Sequence, residues 1–375
     1  MRFALNTVVW GHTYVDLLVN HSLPTLFSRG NFLENSWTEH FVYQLMTTRE
    51  DFAEISQAAT YQRLERLLEV DVMFIDDIQV DTSVDIHKYN RVSIAQTAGM
   101  KRAAETCDGI FFLYPDFIYS TGSLRTVAEK LADGYRAVLC PIPYISQEAV
   151  CGGLFRAHGM EVGTAQGKEI SIEPRQLVEL DILYPHPVNR GYETDSGVYA
   201  EWPALFVWPI IGQGQIIHSF HLHPTGLLLE KDNPEFFRHF EISLDDEFIS
   251  RVFTIGDKLA FINDSDDLAM CSTRSVEDPP HPMEGSRLNL ARAALWAEES
   301  SSLILRYFTR QQFYWHYRDM TSSEWEEKSV EARRFMKNLR KRLTIPDSLL
   351  AIEDPDAYKA RQRRSGYFMH RNTGL

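Results

Sequence analysis

The chain has 375 residues, 44% of them hydrophobic and 24% charged, so it can bury a sizeable core and is no disordered polymer. Thirty-eight Lys and Arg against 52 Asp and Glu give a net charge of −14, which argues against nucleic acid as a partner, because phosphate backbones are held by positive surfaces. Four cysteines without C-x-x-C spacing exclude a zinc knuckle and a disulfide scaffold, and no run approaches the roughly 18 apolar residues of a spanning helix.

In chain order, FALNTVV (3–9) reads as a buried first strand ended by Trp10-Gly11, and its internal Asn6 argues against a signal peptide. A helix around 14–27 contains Pro24. FVYQLM (41–46) is the second strand, and a helix follows from 50 to 69. VDVMFI (70–75) is the third strand, with Asp76-Asp77 at its exit. A helix over 90–106 leads to GIFFL (109–113), which exits into Tyr114-Pro115-Asp116. A helix over 123–133, with Ser123 as its N-cap, precedes AVLC (137–140).

Strand and helix alternate with short connections over the first 145 residues, the pattern of a parallel sheet with right-handed crossovers. In such sheets ligands bind beyond the carboxyl ends of the strands, which directs attention to Trp10, Thr47, Asp76, Asp77 and Asp116. The pattern then changes. Residues 146–288 read as a mixed α+β half with a strand GQIIHSFHL (214–222), another over 258–262, and a Pro-rich loop EDPPHPMEGS. Residues 289–375 read as a helical extension. Residues 291–375 carry 16 Lys and Arg against 11 Asp and Glu, so the acidity lies in the rest of the chain. The basic run RRFMKNLRKRL (333–343) has two destinations open to it, an anionic membrane surface or the acidic body of its own chain.

Several residue groups carry chemistry. A carboxylate at a strand exit, as at Asp116, suits Mg²⁺ or Mn²⁺ shared with phosphate oxygens; the plain alternative is a Pro-Asp turn. In HSFHLHP, strand alternation puts His221 and His223 on one face and His218 on the other. Asp76 and Asp77 suit a ribose, a base or the metal, or a solvated strand end. The acidic loop NDSDD (263–267) offers Asp264 and Asp266 as acceptor-side carboxylates, although a solvated loop explains it as well. Trp10 has a ring to stack on a base, and Lys101 or Arg102 could neutralise a leaving phosphate. No P-loop, dinucleotide fingerprint or G-x-S-x-G occurs at these places.

Taken together, W-G-x-x-Y at 10–14, Y-P-D at 114–116 and F-H-x-H-P at 220–224 resemble the nucleotide-sugar glycosyltransferases of GT-A type, in particular a bacterial subgroup. The resemblance covers about residues 1–270 and implies a GT-A-like α/β fold. It implies transfer of a sugar from a nucleoside diphosphate to a glycan or other hydroxyl acceptor, in polysaccharide or glycoconjugate assembly, in the cytoplasm or at the inner face of its membrane. The nucleoside would lie against Thr7, Val9, Trp10 and Thr47, with Asp76, Asp77 and Lys101 beside it. Asp116 would hold Mn²⁺ or Mg²⁺, with His221 or His223 completing the site. Asp116 keeps only the last acid of the family's D-x-D. Two other classes compete: a metal-dependent hydrolase built on His218, His221 and His223, and a non-catalytic nucleotide or sugar binder.

Overall fold

The computed structural model describes residues 1–78, 88–157, 167–240, 244–278 and 287–343. The strands are β1 (Phe3–Val8), β2 (Phe41–Thr47), β3 (Glu69–Phe74), β4 (Gly109–Leu113), β5 (Phe117–Tyr119), β6 (Ala137–Cys140), β7 (Tyr144–Ser146), β8 (Leu205–Ile210), β9 (Gly214–Ser219), β10 (His223–Leu228), β11 (Leu259–Phe261), β12 (Met270–Arg274) and β13 (Phe313–His316). The helices are α1 (His12–Leu17), α2 (Leu23–Leu26), α3 (Arg49–Ile55), α4 (Ala59–Leu67), α5 (Lys88–Ala103), α6 (Ser123–Ala132), α7 (Gln147–Ala157), α8 (Pro174–Leu183), α9 (Ile249–Val252), α10 (Leu290–Ser300), α11 (Leu303–Phe308) and α12 (Ser323–Arg340).

The central sheet has the order β11-β6-β10-β4-β1-β2-β3. All its pairings are parallel except those of β10, which lies antiparallel between β4 and β6. Strands covered on both faces must be apolar throughout, and β1, β2 and β4 are buried at every residue. Two pairs of their polar groups meet: Asn6 Nδ2 donates to Gln44 Oε1 at 2.7 Å and Tyr43 Oη to Thr7 Oγ1 at 2.8 Å. Helix α5 crosses directly over the first of these pairs. A Cβ added at Gly99 would lie 2.4 Å from Asn6 Nδ2 and 2.9 Å from Gln44 Oε1, so only glycine lets the helix approach so closely.

Two small sheets flank the centre, β5-β12-β7 and β13-β9-β8. The second carries α12, whose Phe335 ring packs 5.4 Å from Phe206 and 5.9 Å from Trp208. Trp325, Ala332, Met336 and Leu339 are buried on the same helix, so between its two destinations the basic stretch takes its own chain through position 343. No helix among the described residues is long and apolar enough to cross a membrane.

Several expectations need correction. The helix over 14–27 contains a π turn at Leu18–Ser22, and Pro24 is the second residue of α2, directly after that turn. The helix over 50–69 breaks at 56–58. Gly122, in the left-handed region at φ 78°, caps α6 in place of Ser123, which is already helical. The strand expected over 214–222 stops at Ser219, and His223 opens a different strand in a different sheet. The extension from 289 includes β13, which pairs with β9. The Pro-rich loop from 279 and the tail from 344 lie outside the described residues.

Gly99→Ala should destabilise the fold by about 2 kcal/mol, since the new methyl must displace a buried hydrogen-bonded pair. Urea unfolding checks this, and an unchanged midpoint would show that α5 can lift off the sheet without penalty.

Candidate functional site

The site is built at the carboxyl ends of β1, β2, β3 and β4. The chain leaves β4 at Tyr114-Pro115-Asp116 and immediately enters β5, which pairs with β12. That pairing fixes Asp116. Its carbonyl accepts from Thr273 N at 2.7 Å and Thr273 Oγ1 at 2.9 Å, and its Oδ2 accepts from Ser272 Oγ at 2.8 Å. Burial pushes the Asp116 carboxyl up to about 6, and the Ser272 bond opposes that only in part.

Because β10 lies beside β4, its first residue reaches the same exit. The His223 ring sits edge-on to Tyr114, with centroids 5.0 Å apart, and to Phe117 at 5.6 Å. Burial lowers its imidazole to about 4, against the pull of Asp245, so the ring is neutral at pH 7. Its Nε2 is buried and has no hydrogen-bond partner among the described residues. Asp245 belongs to a π turn, Leu244–Phe248, that packs on β10. Its charge, with that of Asp116, raises Tyr114 and Tyr144 further above the range set by their burial. Arg274 acts on Tyr144 in the opposite sense and stands 5.7 Å from its ring centroid. Tyr114, Phe117 and His223 therefore meet at the β4 exit, with Asp116 next to Phe117 in the chain and Asp245 acting electrostatically on Tyr114 and His223.

A second region adjoins the ends of the first three strands. An open cleft of about 710 Å³ is lined by Trp10, Gly11, Thr48, Arg49, Asp51 and Asp76, among others. Thr48 caps α3 by accepting from Asp51 N at 3.0 Å. Arg49 N donates to Asp76 Oδ2 and the Arg49 guanidinium to Asp77 Oδ2, both at 2.8 Å. The guanidinium holds Asp77 below the usual carboxylate range.

Of the residues singled out from sequence, the structure gathers Trp10 and Asp76 at the cleft, with Asp77 bound to the same Arg49. Thr47 is buried one residue before the lining, and its Oγ1 lacks a partner among the described residues. Thr7 and Val9 are core residues, so their side chains do not line the cleft. Lys101 is a correction: α5 runs against the strands, and its last turn meets their starts, where the neighbouring Arg102 pairs with Asp71 at 3.1 Å. His221 lies beside Trp296, with ring centroids 6.2 Å apart, and not against Tyr114, because the chain bends between β9 and β10. His218 belongs to the core of the small sheet, with Nδ1 3.1 Å from the Thr309 carbonyl. The three histidines thus have three separate settings.

Asp264 and Asp266 are also corrected. They meet His316 and Arg175 and are not free bases: Asp264 Oδ1 lies 2.9 Å from His316 Nε2, and Arg175 grips Asp266 through three contacts of 2.7–3.2 Å. The His316 bond holds Asp264 below the usual carboxylate range. Asp245 was missed. Its only signal was three consecutive acids in LDDEF between apolar residues.

No family model and no curated protein matches the sequence. Among solved structures, S. aureus TarS aligns over 98% of this chain and 54% of its own, at 12% identity and a TM-score of 0.34. Its 1–349 portion aligns over 98% and 89%, at 12% identity and 0.35. Apo mouse xyloside xylosyltransferase 1 aligns over 42% and 56%, at 17% identity and 0.25. The chain thus spans about half the length of the full TarS chain. At such scores these likenesses decide neither fold nor activity, and the functional reading rests on the site's geometry.

The raised Asp116 carboxyl makes a stability prediction. The folded protein holds this proton between its ordinary range near 3.8 and about 6, so burial of the ionised form costs nothing below that window and its full amount above it. Asp116→Asn should therefore gain stability over the parent as pH rises from 4 to 6, levelling at about 3 kcal/mol. Paired urea titrations across pH read the difference; a pH-independent difference would mean the carboxylate is well solvated.

Proposed function

We propose that the chain transfers a sugar from a nucleoside diphosphate to a hydroxyl acceptor. The observation that carries this reading is His223 packed on Tyr114 and Phe117, the residues around Asp116 at the exit of β4, under the charge of Asp245, together with a cleft at the ends of β1–β3. Ligands of α/β sheets bind there.

The residues fit a divalent cation shared with phosphate. Asp116 supplies a carboxylate oxygen, and His223 offers a buried, neutral, unpartnered Nε2. Among the described residues these two are not part of a closed cage of three protein ligands. That suits a cation whose remaining ligands are donor phosphate oxygens, Mn²⁺ or Mg²⁺ by donor type. Bound there, the cation would stabilise the charge of the departing diphosphate.

The chain's own groups do the rest. Trp10 offers the nucleoside a ring to stack on, and Asp76 a carboxylate to accept from ribose or base. Arg274 adds positive charge on the phosphate side. Asp245 accepts the acceptor hydroxyl's proton as the new glycosidic bond forms and the bond from sugar carbon to phosphate oxygen breaks. A glycan acceptor, a role in polysaccharide or glycoconjugate assembly and a cytoplasmic site belong to the same reading. The histidine-cluster hydrolase finds no support in the separate settings of His218, His221 and His223.

Thermal unfolding with UDP, GDP or CDP tests the donor site. One of them should raise the Tm by several degrees, and Mn²⁺ should enlarge the shift in the parent but not in Asp116→Asn. Absence of any nucleotide response contradicts the proposal. With the matching donor sugar, Asp245→Asn should keep the nucleotide shift and lose about 10²–10⁴ in turnover; full activity would remove Asp245 as the base. Nucleotide binding by the parent without sugar transfer to any hydroxyl acceptor would leave the non-catalytic binder.

A further inference from the structure

The loop after β11 is added to the edge of β13 by two main-chain bonds and one to a serine hydroxyl. Tyr314 N donates to Asn263 O at 2.8 Å, Ser265 N to Tyr314 O at 2.9 Å, and His316 N to Ser265 Oγ at 3.1 Å. Asp266 N then donates to Asp264 Oδ1 at 2.9 Å and folds the loop tip over. This frame places one oxygen of Asp264, one oxygen of Asp266 and one nitrogen of His316 within 4.8 Å of one another.

The His316 ring is almost fully buried, with 2% of its side chain exposed. Its Nδ1 is 2.9 Å from the Arg318 carbonyl, which can only accept, so Nδ1 carries a hydrogen. In the neutral ring the lone pair then sits on Nε2. Yet Nε2 faces two more acceptors, Asp264 Oδ1 at 2.9 Å and Asp266 Oδ2 at 3.9 Å. Arg175 already donates to Asp266 Oδ2 and Asp266 N to Asp264 Oδ1, but the 2.9 Å contact of Nε2 with Asp264 Oδ1 still needs a proton or a metal ion between two lone pairs.

Asp264, Asp266 and Asp319 stand around the single guanidinium of Arg175, which is bonded to Asp266 and Asp319, and this surplus of carboxylates attracts a divalent ion. The spacing suits it: ligands about 2.0–2.2 Å from a metal stand roughly 3–3.5 Å apart. An imidazole fixed through Nδ1–H to a backbone carbonyl is the usual way to aim Nε2 at a metal.

We propose that Asp264, Asp266 and His316 bind a divalent transition-metal ion, with Zn²⁺ the best match to one imidazole and two carboxylates. This site is distinct from the Asp116 pocket and does not depend on the transfer reading. The ion staples the 263–267 loop, which follows the last strand of the central sheet, to β13 in the C-terminal segment. Arg175 from α8 stands in the outer shell and orients Asp266.

Zn²⁺ bound after dialysis, counted by elemental analysis, tests this on the full chain. The parent and Asp116→Asn should each retain one equivalent that His316→Gln loses. Zn²⁺ should also raise the parent's Tm. Asp266→Asn alters an exposed side chain and should leave the fold intact while weakening Zn²⁺ at least about tenfold. The proposal is overturned if the parent binds no Zn²⁺, if His316→Gln keeps the full count, or if Asp266→Asn binds as tightly as the parent. It is equally overturned if Asp116→Asn alone abolishes binding.

Discussion

One antiparallel strand decides what this sheet presents at its ligand edge. In a purely parallel arrangement every neighbour of β4 would end beside it and turn away. Instead β10 enters between β4 and β6 from the opposite direction, with Gly226 level with Phe111 and His223 level with Cys140. Its first residue therefore arrives where β4 and β6 finish. The insertion needs a close approach to α6: a Cβ at Gly226 would lie 2.6 Å from Val127 Cγ1. The packing that admits the strand also delivers His223 to the rings of Tyr114 and Phe117.

The pocket so formed is poorly solvated and has not settled its charges. Burial acts on Asp116 and His223 in the same electrostatic sense, disfavouring the ionised form of each, so it raises the carboxyl and lowers the imidazole. Asp245 adds a negative charge that both Tyr114 and His223 feel. A site of this kind favours a cation, and then the anion the cation brings. The Asp264–Asp266–His316 cluster differs, because it draws its carboxylates together with Arg175 and joins two parts of the chain. The two acidic groups look alike in sequence; only their surroundings separate them.

Much of the central sheet was legible beforehand. Runs such as FALNTVV and GIFFL are apolar on both faces because both faces are covered, and their exits named Trp10, Asp76 and Asp116 correctly as edge residues. What failed was whatever depends on contacts distant in sequence. GQIIHSFHL reads as a single strand by local pattern, yet a bend at Phe220 hands it from one sheet to another, and His221 parts from His223 there. FYWH (313–316) became a strand only because β9 offers an open edge. Lys101 was misplaced because a residue's rank in a helix does not say which end of the sheet it meets. Asp245 carried no local mark beyond acidity.

The central claim is that Asp116 and His223 face one ion shared with a nucleoside diphosphate. Crystals grown with Mn²⁺ and the best-stabilising nucleoside diphosphate test it directly through anomalous scattering at the manganese edge. The account predicts a manganese peak at bonding distance from an Asp116 oxygen and His223 Nε2, with the diphosphate on its open side and the base toward Trp10. A nucleotide bound elsewhere, or manganese at the β4 exit touching neither residue, would contradict it.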